Sequence, residues 1–169
     1  LGIDPDTRGS LCAVTPQGDL IGCLRFHRRY KNEDLFLFDH PHGLRLFQQT
    51  LYAWIPRCAL VAIEHVGARP GEGVCSVFKF GKALGQLLGF VQSSMAEHLR
   101  DFQTLRHVAP RTWQASFGLR GGAKAATRDA ARLRWPTFAW PSHNRKPDTR
   151  ISDGAIIAAW GAQSIPREM

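Results

Sequence analysis

Apolar and polar positions divide the chain into short apolar runs and longer amphipathic stretches. Gly2-Ile3 leads into the polar Asp4-Pro5-Asp6, and residues 10–26, "SLCAVTPQGDLIGCLRF", hold two apolar runs around a turn containing Pro and Gly. That pattern predicts an antiparallel hairpin, so the chain is expected to open with three consecutive strands. Residues 27–43 are polar and read as irregular. In residues 44–55, Leu44, Phe47, Leu51 and Trp54 recur near helical spacing. "CALVAIEHV" is a nearly unbroken apolar run that reaches Glu64, as expected of a central strand buried on both faces. A loop over 67–73 precedes a long helix over 74–98, whose Gly81, Gly85 and Gly89 lie four apart and form a small-residue face. The remaining pattern predicts a strand over 104–108, a short helix over 110–117 opening on Pro110, and a basic helix over 122–135 stopped by Pro136. A loop over 137–147 and an apolar helix over 149–163 follow. The order of elements predicts an α/β fold, with a mixed central sheet of three antiparallel strands and then parallel strands, flanked by helices. With 169 residues and no internal repeat, residues 1–169 are expected to form one domain.

Composition narrows the function. Lys and Arg number 22 against 14 Asp and Glu, a net charge of +8, and this excess points toward a polyanionic partner. The four cysteines, Cys12, Cys23, Cys58 and Cys75, form no C-x-x-C pair and sit in apolar stretches. They read as reduced core or near-core residues in a reducing compartment, which argues against a zinc site. No run of 18 apolar residues occurs, so no membrane-spanning segment is expected. No signal peptide is visible, and any targeting segment would precede these residues.

Four acids fall where a folded sheet would gather them. Asp4 ends the first strand, Glu64 ends the central one, and Asp148 and Asp153 stand at the start of the last helix. Each has a plainer role open to it: a turn for Asp4, a solvated strand end for Glu64, an N-cap for Asp148, a favourable helix-start charge for Asp153. If the two strands are neighbours, however, the carboxylates crowd together and cannot all stay ionised unaided. Two Mg²⁺ ions, which prefer oxygen ligands, would relieve the repulsion and suit phosphodiester cleavage.

Three segments, "GIDPDTRGSLCAV", "VAIEHVGARPGEGVCSVFKFGKALGQLLG" and "DTRISDGAIIAAWG", resemble in order the motifs of the RuvC-type Holliday junction resolvases of the RNase H-like superfamily. The five-residue step from Asp148 to Asp153 is similar to the chloroplast branch of that family, whereas the bacterial branch usually spaces its last two acids by three. The resemblance implies a single RNase H-like nuclease domain with Asp4, Glu64, Asp148 and Asp153 as metal ligands and two Mg²⁺ per site, Mn²⁺ being able to substitute. It implies that Lys124 stands beside the scissile phosphate. It further implies symmetric nicking of four-way DNA junctions in recombination and DNA segregation by a homodimer, with no nucleotide cofactor. The compartment would be the chloroplast nucleoid in a plant or alga and the cytoplasm otherwise. Two departures stand out. Asp6 replaces the usual Gly of the first motif, and neither Gly67 nor Ala68 matches the aromatic wedge that the bacterial family carries after the Glu. Phe78 is a substitute for that wedge or a core residue.

Candidate DNA contacts are Arg69, Lys79 and Lys82 after Glu64, Arg111 and Trp113 at the next helix, and Lys124, Arg128, Arg132 and Arg134 along the basic helix. Such side chains would bind phosphates and make affinity salt-dependent. The stretch from His65 to Ser76 matches the region that the chloroplast branch uses for base preference. Phe80, Leu84, Leu87 and Leu88 belong either to the dimer interface or to the subunit core. The competing readings are a YqgF-like RNase H-fold nuclease acting on RNA, a noncatalytic junction-binding module, and an actin-like ATPase. The last would need two such domains.

Overall fold

The computed structural model describes residues 1–6, 9–30, 33–36, 41–67, 71–98, 104–119, 124–140, 142–143, 146–147 and 149–165. Strands β1 (Gly2–Asp4), β2 (Ser10–Val14) and β3 (Leu20–Arg25) form an antiparallel meander. A hairpin of β4 (His27–Tyr30) and β5 (Glu33–Phe36) follows, then α1 (Pro41–Trp54), a 3-10 turn (Ile55–Arg57) and β6 (Val61–Glu64). The long α2 (Val74–Glu97), β7 (Leu105–Val108), α3 (Pro110–Ser116) and α4 (Lys124–Arg134) come next. A two-residue-per-strand hairpin, β8 (Ser142–His143) and β9 (Lys146–Pro147), precedes α5 (Thr149–Gln163). The main sheet has the order β3-β2-β1-β6-β7, with β6 and β7 added parallel to β1. This is the expected mixed sheet.

Alternation along the central strands divides the core into two layers. Leu1, Ile3, Leu11, Ala13, Val61 and Ile63 pack on one face with Phe47 and Leu51 of α1 and Leu87, Val91 and Met95 of α2. Cys12 and Ala62 face the other way, into a cluster with Val108, Trp113 of α3, Ala131 of α4, and Ile151, Ala155 and Ile156 of α5. The β6 run is apolar throughout because both of its faces are covered. Helix α2 is long and apolar enough to cross a membrane by length and composition, although it lacks an unbroken apolar run. Its buried positions are Ala83, Leu87, Val91, Ser94 and Met95, and the fourfold spacing of all but Ser94 makes one apolar stripe against the sheet. Full burial of side chains such as Leu87 contributes about 1.5–3 kcal/mol each.

Several expectations need correction. Residues 27–43 are not irregular throughout: they contain the β4–β5 hairpin and the first turn of α1. The loop over 137–147 contains the β8–β9 pair. Cys75 lies in the exposed first turn of α2 instead of the core, whereas Cys12 is fully buried. Gly81, Gly85 and Gly89 are open, with nothing within 4 Å of where a side chain would start. Within this chain the glycine face therefore packs on nothing described. Leu87 belongs to the core, with Leu88 packed partly against it. Phe78 is 72% exposed, so it is not a core residue.

Candidate active site

The site is assembled by register. Gly2 pairs with Ala62 and Ile3 with Ile63 across the parallel β1–β6 ladder, so the next residues, Asp4 and Glu64, end their strands side by side. Because Ile3 and Ile63 face the α1–α2 layer, alternation turns Asp4 and Glu64 toward the α5 layer. Ser10, the antiparallel partner of Asp4, is buried on that face too.

Helix α5 can lie close over these strands because two positions have no side chain. A Cβ on Gly2 would fall on the Ala158 amide and the Gly154 carbonyl, and one on Gly154 would fall on the Ser10 hydroxyl. At Gly2 main chain therefore meets main chain, at Gly154 the helix rests against the Ser10 side chain, and Asp153, one residue before Gly154, comes to the same end of the sheet. Asp4 is 7% exposed. Burial, and then the negative charges of Glu64 and Asp153, push its carboxyl well above the usual carboxylate range. The Asp6 amide donates to its Oδ1 at 3.1 Å and partly opposes that shift. The Asp-Pro-Asp turn thus anchors a buried acid at one end and supplies it with a donor two residues later.

Glu64 is half-buried. The indole Nε1–H of Trp113 donates to its Oε1 at 3.1 Å. The exposed rings of His65 and His107 meet edge to face near the same strand end, with centroids 6.3 Å apart. Among the described residues, no group of three or more His, Cys, Asp or Glu is gathered in a way that could hold a metal ion. The donor chemistry of Asp4, Glu64 and Asp153 nevertheless fits a hard divalent cation. All the donors are carboxylate oxygens, and a nearly buried acid carries the repulsion of two others.

No protein-family model matches the chain, and no curated protein matches it. Among solved structures it is similar to Thermus thermophilus RuvC in complex with a Holliday junction substrate. That match has a TM-score of 0.56 at 18% identity and covers 94% of this chain and 88% of that one. Another T. thermophilus RuvC structure matches with a TM-score of 0.55 at 17% identity, over 94% of this chain and 89% of that one. The fold is that of RuvC.

Within this RuvC-like fold, the expected site residues are placed as follows. Asp4, Glu64 and Asp153 lie at one end of the sheet, near enough for the charges of Glu64 and Asp153 to act on Asp4, without closing, among the described residues, into a cluster that could hold a metal ion. Asp148 and Arg69 lie outside the described residues. Lys124 is the first residue of α4. Lys79 and Lys82 are exposed on α2, and Arg111 is exposed on α3. Arg128 is half-buried and pairs with Asp129 at 2.8 Å. That pairing pushes the guanidinium up and the carboxyl down and offsets part of the charge expected for phosphate. Trp113, grouped with the DNA contacts on sequence, is 2% exposed and touches Glu64 instead. Its place in the short helix directly after β7 was the available signal, because a strand parallel to β6 returns the chain to the Glu64 end.

Proposed function

We propose that the protein is a divalent-cation-dependent endonuclease that nicks four-way DNA junctions symmetrically as a homodimer. The observation that carries this reading is the convergence of Asp4, Glu64 and Asp153 at one end of a RuvC-like sheet. The neighbour of that fold bound to a Holliday junction substrate supports the choice of substrate, and the net charge of +8 supports a polyanion.

Asp4, Glu64, Asp153 and Asp148 would hold Mg²⁺ or Mn²⁺. When bound, the cation supplies a polarised water and neutralises charge on the phosphate. The residues of the chain do the rest. Asp4 forms the floor of the site, and its burial keeps bulk water from screening the charges around it. Glu64 and Asp153 flank it from β6 and α5. Lys124 offsets charge developing on the phosphate oxygens. Lys79, Lys82, Arg69, Arg111 and Arg128 contact the arms. Water oxygen attacks phosphorus and the 3′ oxygen leaves, giving 5′-phosphate and 3′-hydroxyl ends. The spacing of Asp148 and Asp153 favours the chloroplast-type branch of these nucleases.

The test mixes the protein with a mobile synthetic four-way junction or with linear duplex of the same sequence, in Mg²⁺ or EDTA. Glu64→Gln and Asp153→Asn are run beside the parent. Paired nicks on the junction alone, lost in EDTA and reduced at least about 100-fold in both variants, are expected. Tight junction binding without cutting would leave only a binding module, and cleavage of RNA in preference to the junction would overturn the substrate.

A further inference from the structure

We infer that Trp113 is a positioning residue for Glu64, its indole N–H fixing the orientation in which that carboxylate offers oxygen to a divalent cation. The inference rests on the reading of Glu64 as a cation ligand.

Three observations carry it. Trp113 Nε1 lies 3.1 Å from Glu64 Oε1, within ordinary hydrogen-bond range. Trp113 itself is 2% exposed and belongs to the cluster that includes Ile151, Ala155 and Trp135, so its ring is fixed by packing before any ligand arrives. The backbone at both ends of the contact is also held. Glu64 pairs with Val108 in the β6–β7 ladder, and the His65 amide extends the ladder by donating to the Val108 carbonyl at 2.7 Å. Helix α3 begins two residues after Val108, at Pro110, so its first turn stands over the end of β6.

The chemistry of the donor suits this task. A glutamate side chain at a half-buried strand end would otherwise sample several rotamers, and ordering it opposes binding. An indole N–H is a donor only and stays neutral at every accessible pH. It can hold one oxygen without placing a positive charge that competes with a cation for the carboxylate, as an arginine would. Groups that hydrogen-bond a metal-ligating side chain in this way typically set metal affinity by about 10- to 100-fold.

The plainer role is the reverse, in which Glu64 serves only to satisfy a buried indole. The two roles separate on metal affinity. Mn²⁺ binding would be measured by calorimetry on the parent, on Trp113→Phe, and on a variant carrying at position 113 the isostere in which sulfur replaces the indole N–H. Junction affinity in EDTA and cleavage in Mn²⁺ would be followed beside it. The expected result is Mn²⁺ binding weakened about 10- to 100-fold in both variants, with junction affinity in EDTA unchanged and cleavage restored in part by raised Mn²⁺. A variant that is folded, melts lower and binds Mn²⁺ like the parent would overturn the inference and leave the nuclease reading intact. A parent that binds no Mn²⁺ would overturn both.

Should Trp113→Phe fail to fold, the parent still decides the matter by NMR. The indole N–H resonance of Trp113, one of five in the chain, is expected to shift as Mg²⁺ is added. A resonance that stays in place while backbone amides around Asp4 move would reject the positioning role.

Discussion

At the scale of single residues, the most telling group is Asp4. Its carboxyl is raised by burial first and by Glu64 and Asp153 next, so the folded state holds its proton more tightly than the unfolded chain does. The stability linked to Asp4 is therefore full below the ordinary carboxylate range and is lost as pH rises through its elevated value. In EDTA, the protein should lose stability across that window, and Asp4→Asn should remove much of this loss. At neutral pH we expect the variant to be more stable than the parent by about 1–2 kcal/mol, or roughly 2–8 °C in Tm for a chain of this length. It should also have lost cleavage. Thermal melts from pH 4 to 8 with and without Mg²⁺ check both halves, and a variant that melts below the parent in EDTA would contradict the account. The strand-ending positions of Asp4 and Glu64 were legible in sequence because each closes an apolar run. The Trp113 contact was not, because residues 49 apart carry no periodicity that links them.

At the scale of elements, the legible parts were those with a buried face. The nearly continuous apolar residues of 149–163 predict helix α5, which packs on β1 and β2 in the structure. The β4–β5 hairpin is not legible in the same way. Its register sets Arg29 against Asp34 and Tyr30 against Glu33 in a separate two-stranded sheet, and such polar strands show no alternation to read. The glycine face of α2 was legible as a pattern, but not as to what it meets. Two substitutions separate close packing from open space. Gly2→Ala should cost about 3 kcal/mol or more, because the new methyl falls on the α5 backbone. Gly85→Ala, with open space around it, should leave the protein within about 1 kcal/mol of the parent and on the stable side, since alanine favours helix. Denaturant titrations of the two variants compare them directly. A Gly2→Ala protein as stable as the parent would mean that α5 is not seated on β1 as described.

At the scale of the whole molecule, charge and shape are the quantities to measure. Lys79 and Lys82 are exposed on α2, and under the proposed function each touches one phosphate of the junction. Replacing either by alanine should weaken junction binding evenly across sequences and lower the slope of log K against log salt by about 1. Gel-shift titrations at several salt concentrations give that slope, and an unchanged slope would remove the residue from the interface. The seat of α5 on β1 has a wider consequence for how such a protein can diverge. The joint asks that Gly2 and Gly154 carry no side chain and that position 10 stay as small as serine, and it leaves residues farther from it open to exchange for others of similar volume. A fold built on such joints can be kept while most residues along it differ, as in a chain that follows the backbone course of T. thermophilus RuvC over 94% of its length at 18% identity.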